Sequence, residues 1–328
     1  MKKKSVALFL VLMWVLVVAA GCGGAKNASS GKTVAIKLGH GHPASSEFHL
    51  GAQKFAELVD KKTNGNVKIT IYHSGQLGDE QELSEGIRMG TIDMALLGSS
   101  SVSKFEPNFM MFDLPYIFRD HAHADKVLDG EVGNIFVDKF EKKGLKVLGY
   151  WESGFRHYLN NKRPIKTPKD MEGLKIRTPQ SPVQVATTKA LGASPVPLNF
   201  SELYMACQQG TVDGQEGPVF AIKSAKFYEV QKYMVLDGHI YTVMVLGMNP
   251  KLFGSLSADN QKAILEAAKE AGLYERKLLR DHEQEQIAFL EKEGKMIIEK
   301  NPDKSEWLKA TKPVYDEFGK KLDNDLIQ

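Results

Sequence analysis

Cysteine is nearly absent from this chain of 328 residues, which contains only Cys22 and Cys207. Cys207 falls in a predicted helix, where a lone cysteine usually behaves as a small buried apolar residue. A reactive thiol would want a partner histidine, and none is near Cys207 in the sequence. The pattern around Cys22, described below, predicts that a lipid is attached to this residue. Cys207 would then have no partner cysteine with which to form an intramolecular disulfide.

An excess of charge of either sign is also missing beyond the N-terminus. The formal net charge of +3 comes from Lys2, Lys3 and Lys4, and the rest of the chain carries 40 basic and 40 acidic residues. This balance argues against a nucleic acid or another polyanion as a partner.

The sequence lacks the short motifs of several enzyme classes. It contains no GxSxG nucleophile elbow, no GxxxxGK[ST] phosphate loop and no GxGxxG dinucleotide fingerprint. Histidines cluster as His40, His42 and His49 and as His121 and His123, but no acid or cysteine completes a recognised zinc spacing beside them. We therefore predict no enzyme activity, no metal site and no cofactor.

The N-terminus has the pattern of a bacterial signal peptide. The three lysines precede an unbroken apolar run from Val6 to Ala20, which is too short to span a bilayer comfortably. Next comes "VAAGC", which resembles a bacterial lipobox. We predict residues 1–21 to be a lipoprotein signal peptide, Cys22 to carry the lipid anchor, and residues 22–32 to form a flexible tether. The protein would then sit outside the cytoplasm, anchored to the membrane.

Strand and helix patterns alternate along the rest of the chain, which indicates an α/β protein with a largely parallel sheet. One helix is predicted in the region of Val127 to Phe140, and two strands are predicted around Lys232–Leu236 and Ile240–Met248. A helical stretch runs from Ser257 to about Glu293. It exceeds the usual length of a globular helix, so we expect it to pack along more than one domain.

The alternating pattern restarts after the strand "LKIRTP", and no long linker separates the two blocks. The chain is therefore expected to cross between two domains through strands, which can hinge about a cleft. We predict that residues 33–153 and 243–282 form one domain and that residues 154–242 and 283–328 form the other.

Two arginines stand beside apolar or aromatic residues. Arg177 ends the strand "LKIRTP", and in open α/β sheets the carboxyl ends of strands face the ligand crevice. Arg156 lies in "WESGFRHY", among aromatic residues. A guanidinium can hold a carboxylate through two parallel N–H···O bonds. The pattern favours an anion-binding cleft over the usual fate of arginine, which is a surface position with a buried stem.

Three stretches resemble the solute-binding proteins of tripartite ATP-independent periplasmic (TRAP) transporters, of the C4-dicarboxylate-binding type. They are "HLGAQKFAELVDKKTNGNVKITIYHSGQLGDEQELSEGIRMGTIDMALLG", "GFRHYLNNKRPIKTPKDMEGLKIRTPQSPV" and "LYMACQQGTVDGQEGPV". The resemblance covers essentially the whole mature chain. It implies a two-domain periplasmic-binding-protein-like fold with mixed, mostly parallel sheets, a strand hinge and a long helix that spans both domains.

The resemblance also implies a role and a site. Members of the family capture an organic acid outside the cytoplasmic membrane and deliver it to TRAP membrane subunits, in transport driven by an ion gradient, commonly of sodium, without ATP. The arginine of "LKIR" forms a salt bridge with the ligand carboxylate in the family, which implies this role for Arg177. The arginine of "GFR" commonly assists, which implies a second role for Arg156.

One position departs from the family pattern. The third motif commonly reads "DGQEN", with its asparagine contacting the ligand, whereas this chain has Gly217 at that place, after Glu216. We include both residues in the predicted ligand site. The missing side chain leaves space, so we expect a bulkier or more apolar carboxylate, such as an aromatic or branched oxo- or hydroxy-acid. Trp151, Phe155 and Tyr241 are the predicted lining of that pocket.

Two other functions stay open at the level of the sequence. The chain could serve a different importer, or a sensor, that also binds a carboxylate. It could also be a surface-tethered hydrolase, although it offers no nucleophile–base–orienter set.

Overall fold

The computed structural model describes residues 33–327. The predicted signal peptide, Cys22 and the tether therefore lie outside the described residues. Within this range, no helix has both the length and the apolar character needed to cross a membrane. The same range contains no group of three or more His, Cys, Asp or Glu side chains arranged to hold a metal ion.

The described chain forms one mixed sheet of nine strands. The strands are β1 (Val34–Gly39), β2 (Val67–Tyr72), β3 (Met94–Gly98), β4 (Lys146–Asn160), β5 (Lys175–Thr178), β6 (Ser194–Pro197), β7 (Gly214–Pro218), β8 (Tyr233–Met248) and β9 (Ile297–Glu299). Their order across the sheet is β2-β1-β3-β8-β4-β7-β5-β6, and β9 lies beside β8. Most pairs are parallel, and the pairs β3–β8, β4–β8 and β4–β7 are antiparallel. The mixed, mostly parallel sheet of the prediction is therefore confirmed.

Helices connect the strands and cover the sheet. They are α1 (Glu47–Lys62), α2 (Glu80–Met89), α3 (Ser99–Val102), α4 (His121–Leu128), α5 (Glu131–Glu141), α6 (Pro182–Ala190), α7 (Phe200–Gln208), α8 (Val219–Ser224), α9 (Pro250–Ser255), α10 (Ala258–Lys292), α11 (Lys304–Phe318) and α12 (Asn324–Ile327). Short 3-10 helices span Pro107–Asp113, Pro168–Met171 and Phe227–Glu229.

Two long strands join the halves of the sheet. β4 and β8 pair antiparallel from Lys146 opposite Met248 to Asn160 opposite Tyr233. β3 pairs with one end of β8, and β7 pairs with the far end of β4, so β1–β3 belong to one half and β5–β7 to the other. We call this β4–β8 pair the ribbon. Its register shifts at three bulges, and Gly154 adopts a φ of 85° at the middle one. Bulges bend and twist a strand pair, and β4 and β8 are the strands in which the predicted hinge would lie.

The long helix α10 packs on both halves. Ser257 accepts a hydrogen bond from the backbone N–H of Asn260 and so caps its first turn, as serine often does. Ile264 and Leu279 lie in the apolar core beside β1 and β3. Ile287 lies in a separate core beside α7 and α8, in the other half. The predicted spanning helix is confirmed, because one helix contributes to the cores of both halves.

Some predicted elements differ from the structure. The single helix predicted across Val127–Phe140 is two helices, because the backbone at Gly130 is extended and begins the second helix. A side chain at Gly130 would collide with the carbonyl of Lys126. The two strands predicted around residues 232–248 are one strand, in which Gly238 takes a φ of 61° at a bulge. The edge strand β6 was missed, since its two prolines argue against a strand and are tolerated only at an edge.

Candidate functional site

A cavity of about 260 Å³ lies at the carboxyl ends of β3, β5 and β7. Gly98, the last residue of β3, lines one wall together with Glu80 at the start of α2. Arg177 near the end of β5 and Gln215 on β7 line the opposite wall. Both halves of the sheet therefore contribute to the cavity. This position agrees with the rule that ligands bind outside the carboxyl ends of strands in open α/β sheets.

Arg177 is buried at this cavity, with only 4% of its surface exposed. Its Nε donates to the backbone carbonyl of Leu198 at 2.9 Å, which fixes the plane of the guanidinium. Among the described residues, its two terminal nitrogens have no hydrogen-bond partner. Burial, reinforced by the nearby Arg156, lowers the pKa of Arg177 to about 10. The group stays charged at neutral pH and has donors available for an anion.

Arg156 lies on β4 and is committed to another residue of the protein. Its Nε donates to Oε2 of Glu216, and its Nη2 donates to Oε1 of the same residue at 2.9 Å. Nη2 also donates to the backbone carbonyl of Glu216 at 2.9 Å, and Nη1 lies 3.4 Å from Oγ1 of Thr242. This bidentate ion pair neutralises most of the charge that Arg156 could offer to a ligand.

A buried polar chain continues behind Glu216. Nε2 of His239 lies 3.4 Å from Oε2 of Glu216, and Nδ1 of His239 lies 2.7 Å from Oδ2 of Asp237. The His239 ring stacks on Tyr158 with a centroid distance of 4.1 Å. Burial opposes the charge of His239, but Asp237 and Glu216 outweigh it and raise the pKa of His239 to about 9. Sequence reasoning missed this chain, although "DGH" interrupts an otherwise apolar strand.

Glu216 is held ionised by its neighbours. Burial alone would raise its pKa, but Arg156 and then His239 lower the pKa of Glu216 to about 2. With a cation on each side, Glu216 leaves little negative charge to compensate Arg177. The predicted site residues Arg156, Arg177 and Glu216 thus lie together at one cavity, and Arg177 is the one that has free donors.

Gly217 lines the same cavity, next to open space. A Cβ added there would meet only Oε1 of Gln215, at 3.6 Å, which is an ordinary contact distance. The glycine is therefore not required by close packing of the backbone. A side chain would extend into space that the cavity now has.

The structure places the three predicted aromatic residues away from this cavity, contrary to the prediction. Trp151 is fully buried beneath α1 and α10, where ideal Cβ atoms on Gly51 and Gly272 would lie 2.8 Å and 3.1 Å from its ring. Tyr241 packs edge-on against Phe155, with ring centroids 5.2 Å apart. Phe155 lines a second, smaller cavity, of about 20 Å³.

For Phe155 and Tyr241 the reason is the alternation of side chains along a strand. Phe155 directly precedes Arg156, and Tyr241 directly precedes Thr242, and it is Arg156 and Thr242 that line the larger cavity. Their aromatic neighbours therefore point to the other face of the sheet. Sequence reasoning counted aromatic residues near the arginine without assigning them to a face.

The polar lining of the cavity was also missed. Gln184 on α6 and Gln215 on β7 are each 2% exposed and line the cavity. Oε1 of Gln184 and Nε2 of Gln215 are buried and have no hydrogen-bond partner among the described residues. Because a buried polar atom without a partner is costly, such atoms at a cavity favour a ligand that completes their hydrogen bonds.

His42 closes part of the cavity wall. Its ring packs against Phe48 and Phe200, each with a centroid distance of 4.6 Å. Burial, then the neighbouring His40, then the two arginines lower the pKa of His42 to about 3. His42 is therefore neutral at physiological pH and adds no positive charge to the cavity.

Known proteins are similar to this chain in sequence and in fold. The model of the family "bacterial extracellular solute-binding protein, family 7" matches residues 38–322. The chain is 39% identical over 272 residues to the 2,3-diketo-L-gulonate-binding periplasmic protein of Escherichia coli strain K12, an alignment that covers 83% of each chain.

Two solved structures resemble the fold closely. A TRAP periplasmic solute-binding protein from Polaromonas sp. JS666, bound to D-erythronate, has a TM-score of 0.87 and 37% identity, and the match covers 90% of this chain and 97% of that one. A TRAP periplasmic solute-binding protein from Sulfurospirillum deleyianum DSM 6946, with bound succinate, has a TM-score of 0.85 and 37% identity, with the same two coverages. This chain therefore belongs to family 7 of the bacterial extracellular solute-binding proteins, the binding components of TRAP transporters, and is a binding protein rather than an enzyme.

Proposed function

We propose that this protein captures a small organic acid outside the cytoplasm, holds its carboxylate on Arg177, and delivers it to the membrane subunits of a TRAP transporter. The observation that carries the proposal is the state of Arg177, which is buried and charged and has unused donors at the cavity. A buried cation without a partner is unfavourable, and a ligand carboxylate would supply the partner. The similar proteins that bind 2,3-diketo-L-gulonate, D-erythronate and succinate all bind carboxylates, which supports the same ligand chemistry here.

The lining of the cavity supports an aliphatic acid with hydroxyl or keto oxygens. Gln184 and Gln215 offer an acceptor and a donor that have no partner among the described residues. The hydroxyl of Ser101 donates to Glu80 and can still accept a hydrogen bond. The aromatic residues that were predicted to line a pocket for a bulkier or more apolar acid lie elsewhere. A ligand with several oxygen atoms would complete hydrogen bonds that an apolar ligand would leave unmade.

The test is a thermal-shift and calorimetric screen of the purified chain from residue 33 onward. The ligands are D-erythronate, galactonate, 2,3-diketo-L-gulonate and succinate. At least one should raise the melting temperature of the wild type. Arg177→Ala should lose that rise, because no other free guanidinium faces the cavity in the described part of the chain.

The matched control is Lys175→Ala, which removes an exposed cation two residues earlier on the same strand. It should bind as tightly as the wild type. Binding by Arg177→Ala with unchanged affinity would overturn the carboxylate clamp.

We further propose that the mature protein is a lipoprotein anchored through Cys22. The support is the sequence pattern alone, with a short apolar run and small residues before the cysteine. Expression with a radiolabelled fatty acid should label the wild type, and Cys22→Ser should abolish the label. A wild-type protein that stays unlabelled in the soluble extracytoplasmic fraction would contradict the anchor.

Our proposal for the domains follows the two halves of the sheet. Residues 33–153 and 243–282 would form one domain, and residues 154–242 and 283–328 would form the other. The chain passes between the two groups within β4, within β8 and within α10. Each group then contributes one wall of the cavity, so that closure on the ligand would bring both walls onto it.

A further inference from the structure

The cavity offers free positive charge for one carboxylate. Two arginines line it among the described residues, and no lysine does. Arg156 gives its Nε and Nη2 to Glu216, whereas Arg177 keeps both terminal nitrogens. A ligand with two carboxylates would therefore find a single partner for its two charges.

An acid, Glu80, lines the same cavity as Arg177. Glu80 is the first residue of α2, directly after Asp79, whose side chain caps the helix. Oε2 of Glu80 accepts from Oγ of Ser101 at 2.7 Å and from the backbone N–H of Gly98 at 3.1 Å. These two bonds hold the carboxyl group in place. Oε1 has no hydrogen-bond partner among the described residues.

The surroundings of Glu80 make the carboxyl sensitive to added charge. Loss of hydration raises the pKa of Glu80, against the hydrogen bonds from Ser101 and Gly98 and the positive field of Arg177 and Arg156. Glu80 is only partly exposed, so water would screen a second negative charge placed beside it incompletely. In either protonation state, a ligand hydroxyl can share a hydrogen bond with Oε1.

We infer that Glu80 determines specificity, by pairing with a ligand hydroxyl and rejecting a second carboxylate, so that this chain selects hydroxylated monocarboxylates over dicarboxylates. The inference rests on the proposed carboxylate-binding function. Two carboxylates that lie close together in one cavity repel each other, and this repulsion favours protonation of one of them. The related structures do not predict which class of acid this chain prefers, since one of them holds D-erythronate and another holds succinate. Glu80 favours the hydroxylated monocarboxylate.

The experiment compares acids that differ in one group. An aldonate and its aldarate share their chain length and hydroxyl groups, but the aldarate has a carboxylate in place of the terminal CH₂OH. We would measure the affinities of galactonate against galactarate, and of D-erythronate against meso-tartrate, by isothermal calorimetry. The wild type should prefer at least one aldonate over its aldarate by about tenfold or more, the size expected for an uncompensated charge.

The decisive variant is Glu80→Gln, which keeps the shape and can still accept from Ser101 and Gly98. It should raise the affinity for the aldarate and reduce the preference to within about threefold. The matched control is Glu85→Gln, on the exposed side of the same helix, which should keep the wild-type preference. If Glu80→Gln does not fold, the wild-type preference should narrow as the pH is lowered, because burial raises the pKa of Glu80 and favours its neutral form.

The outcomes separate this inference from the function on which it rests. Wild type that binds an aldarate or succinate as tightly as any aldonate, and loses it in Arg177→Ala, would overturn the role of Glu80 and keep the carboxylate function. An unchanged preference in Glu80→Gln would overturn it as well. If no carboxylate binds the wild type at all, both proposals fail.

Discussion

Arg156 and Arg177 are buried at the same cavity, yet their neighbours give them different chemistry. Arg156 makes a bidentate pair with Glu216, which in turn lies beside His239. Arg177 has one bond to a backbone carbonyl and otherwise faces the cavity. A residue type in a strand does not reveal whether its charge is already paired. The side chains across the sheet decide that.

The charge on His239 predicts how stability depends on pH. Its pKa is about 9 in the folded protein, above an ordinary value near 6.5. The stability that the charged form contributes is present below about pH 6.5 and is lost as the pH rises toward 9, by an amount on the order of 3 kcal/mol. In His239→Gln this component should be missing.

Urea unfolding at several pH values between about 6.5 and 9 checks this expectation. The difference in unfolding free energy between wild type and His239→Gln should shrink as the pH rises. Other groups that titrate in this range are present in both proteins, so their contributions cancel in the difference. A difference that stays constant with pH would show that His239 is not charged in the folded state.

At the scale of elements, the contact between α1, α10 and β4 depends on two glycines. Gly51 on α1 and Gly272 on α10 lie against the ring of Trp151, which β4 places between the helices. A Cβ at Gly51 would lie 2.8 Å from that ring and 2.9 Å from Cβ of Glu275. The helices approach β4 closely only because these positions have no side chain.

Gly51→Ala should therefore destabilise the protein, although alanine is the better helix former. The overlap in a packed core predicts a loss of about 1–3 kcal/mol. Gly254→Ala on α9 is the control, since an added Cβ there meets nothing within 4 Å. Denaturant unfolding should show a clear loss for the first variant and little change or a small gain for the second. Equal midpoints would mean that the core can rearrange around the methyl group.

The helix α10 is also tied to the ribbon through charge. Arg280 pairs with Glu152 on β4 at 2.6 Å and with Asp125 on α4 at 2.7 Å. His121 lies 2.8 Å from the other oxygen of Glu152. Because Glu152 is buried, these partners compensate a charge that would otherwise be unfavourable. The ion pair between Arg280 and Glu152 thus connects the bulged centre of the ribbon to the helix that packs on both halves.

For the whole molecule, the proposed clamp predicts compaction on binding. Cavity walls come from both halves of the sheet, which are joined by β4, β8 and α10. A ligand held between the walls favours the closed arrangement through its differential affinity. Small-angle scattering should show a smaller radius of gyration with a binding acid. Arg177→Ala should show no change with the same acid, and an identical radius for the wild type with and without ligand would contradict closure.

Much of the architecture follows from the sequence because periodicity is local. Alternating apolar residues predicted most of the strands correctly, and the helical repeat that begins after the cap Ser257 predicted α10. The wrong predictions, one helix in place of two and two strands in place of one, have a different cause. The turn at Gly130 and the bulge at Gly238 depend on backbone geometry that a pattern of apolar residues does not record.

Most of the strands and helices, and the position of Arg177 at the carboxyl end of a strand, could be predicted from the sequence. The folded structure was needed to show that Arg156 is already paired, that Trp151, Phe155 and Tyr241 belong to packed interiors or another cavity, and that Glu80 and two glutamines line the site. The physical reason is that side-chain pairing and burial depend on residues far apart in the chain. Glu216 reaches Arg156 across 60 positions, a separation that no local pattern can encode.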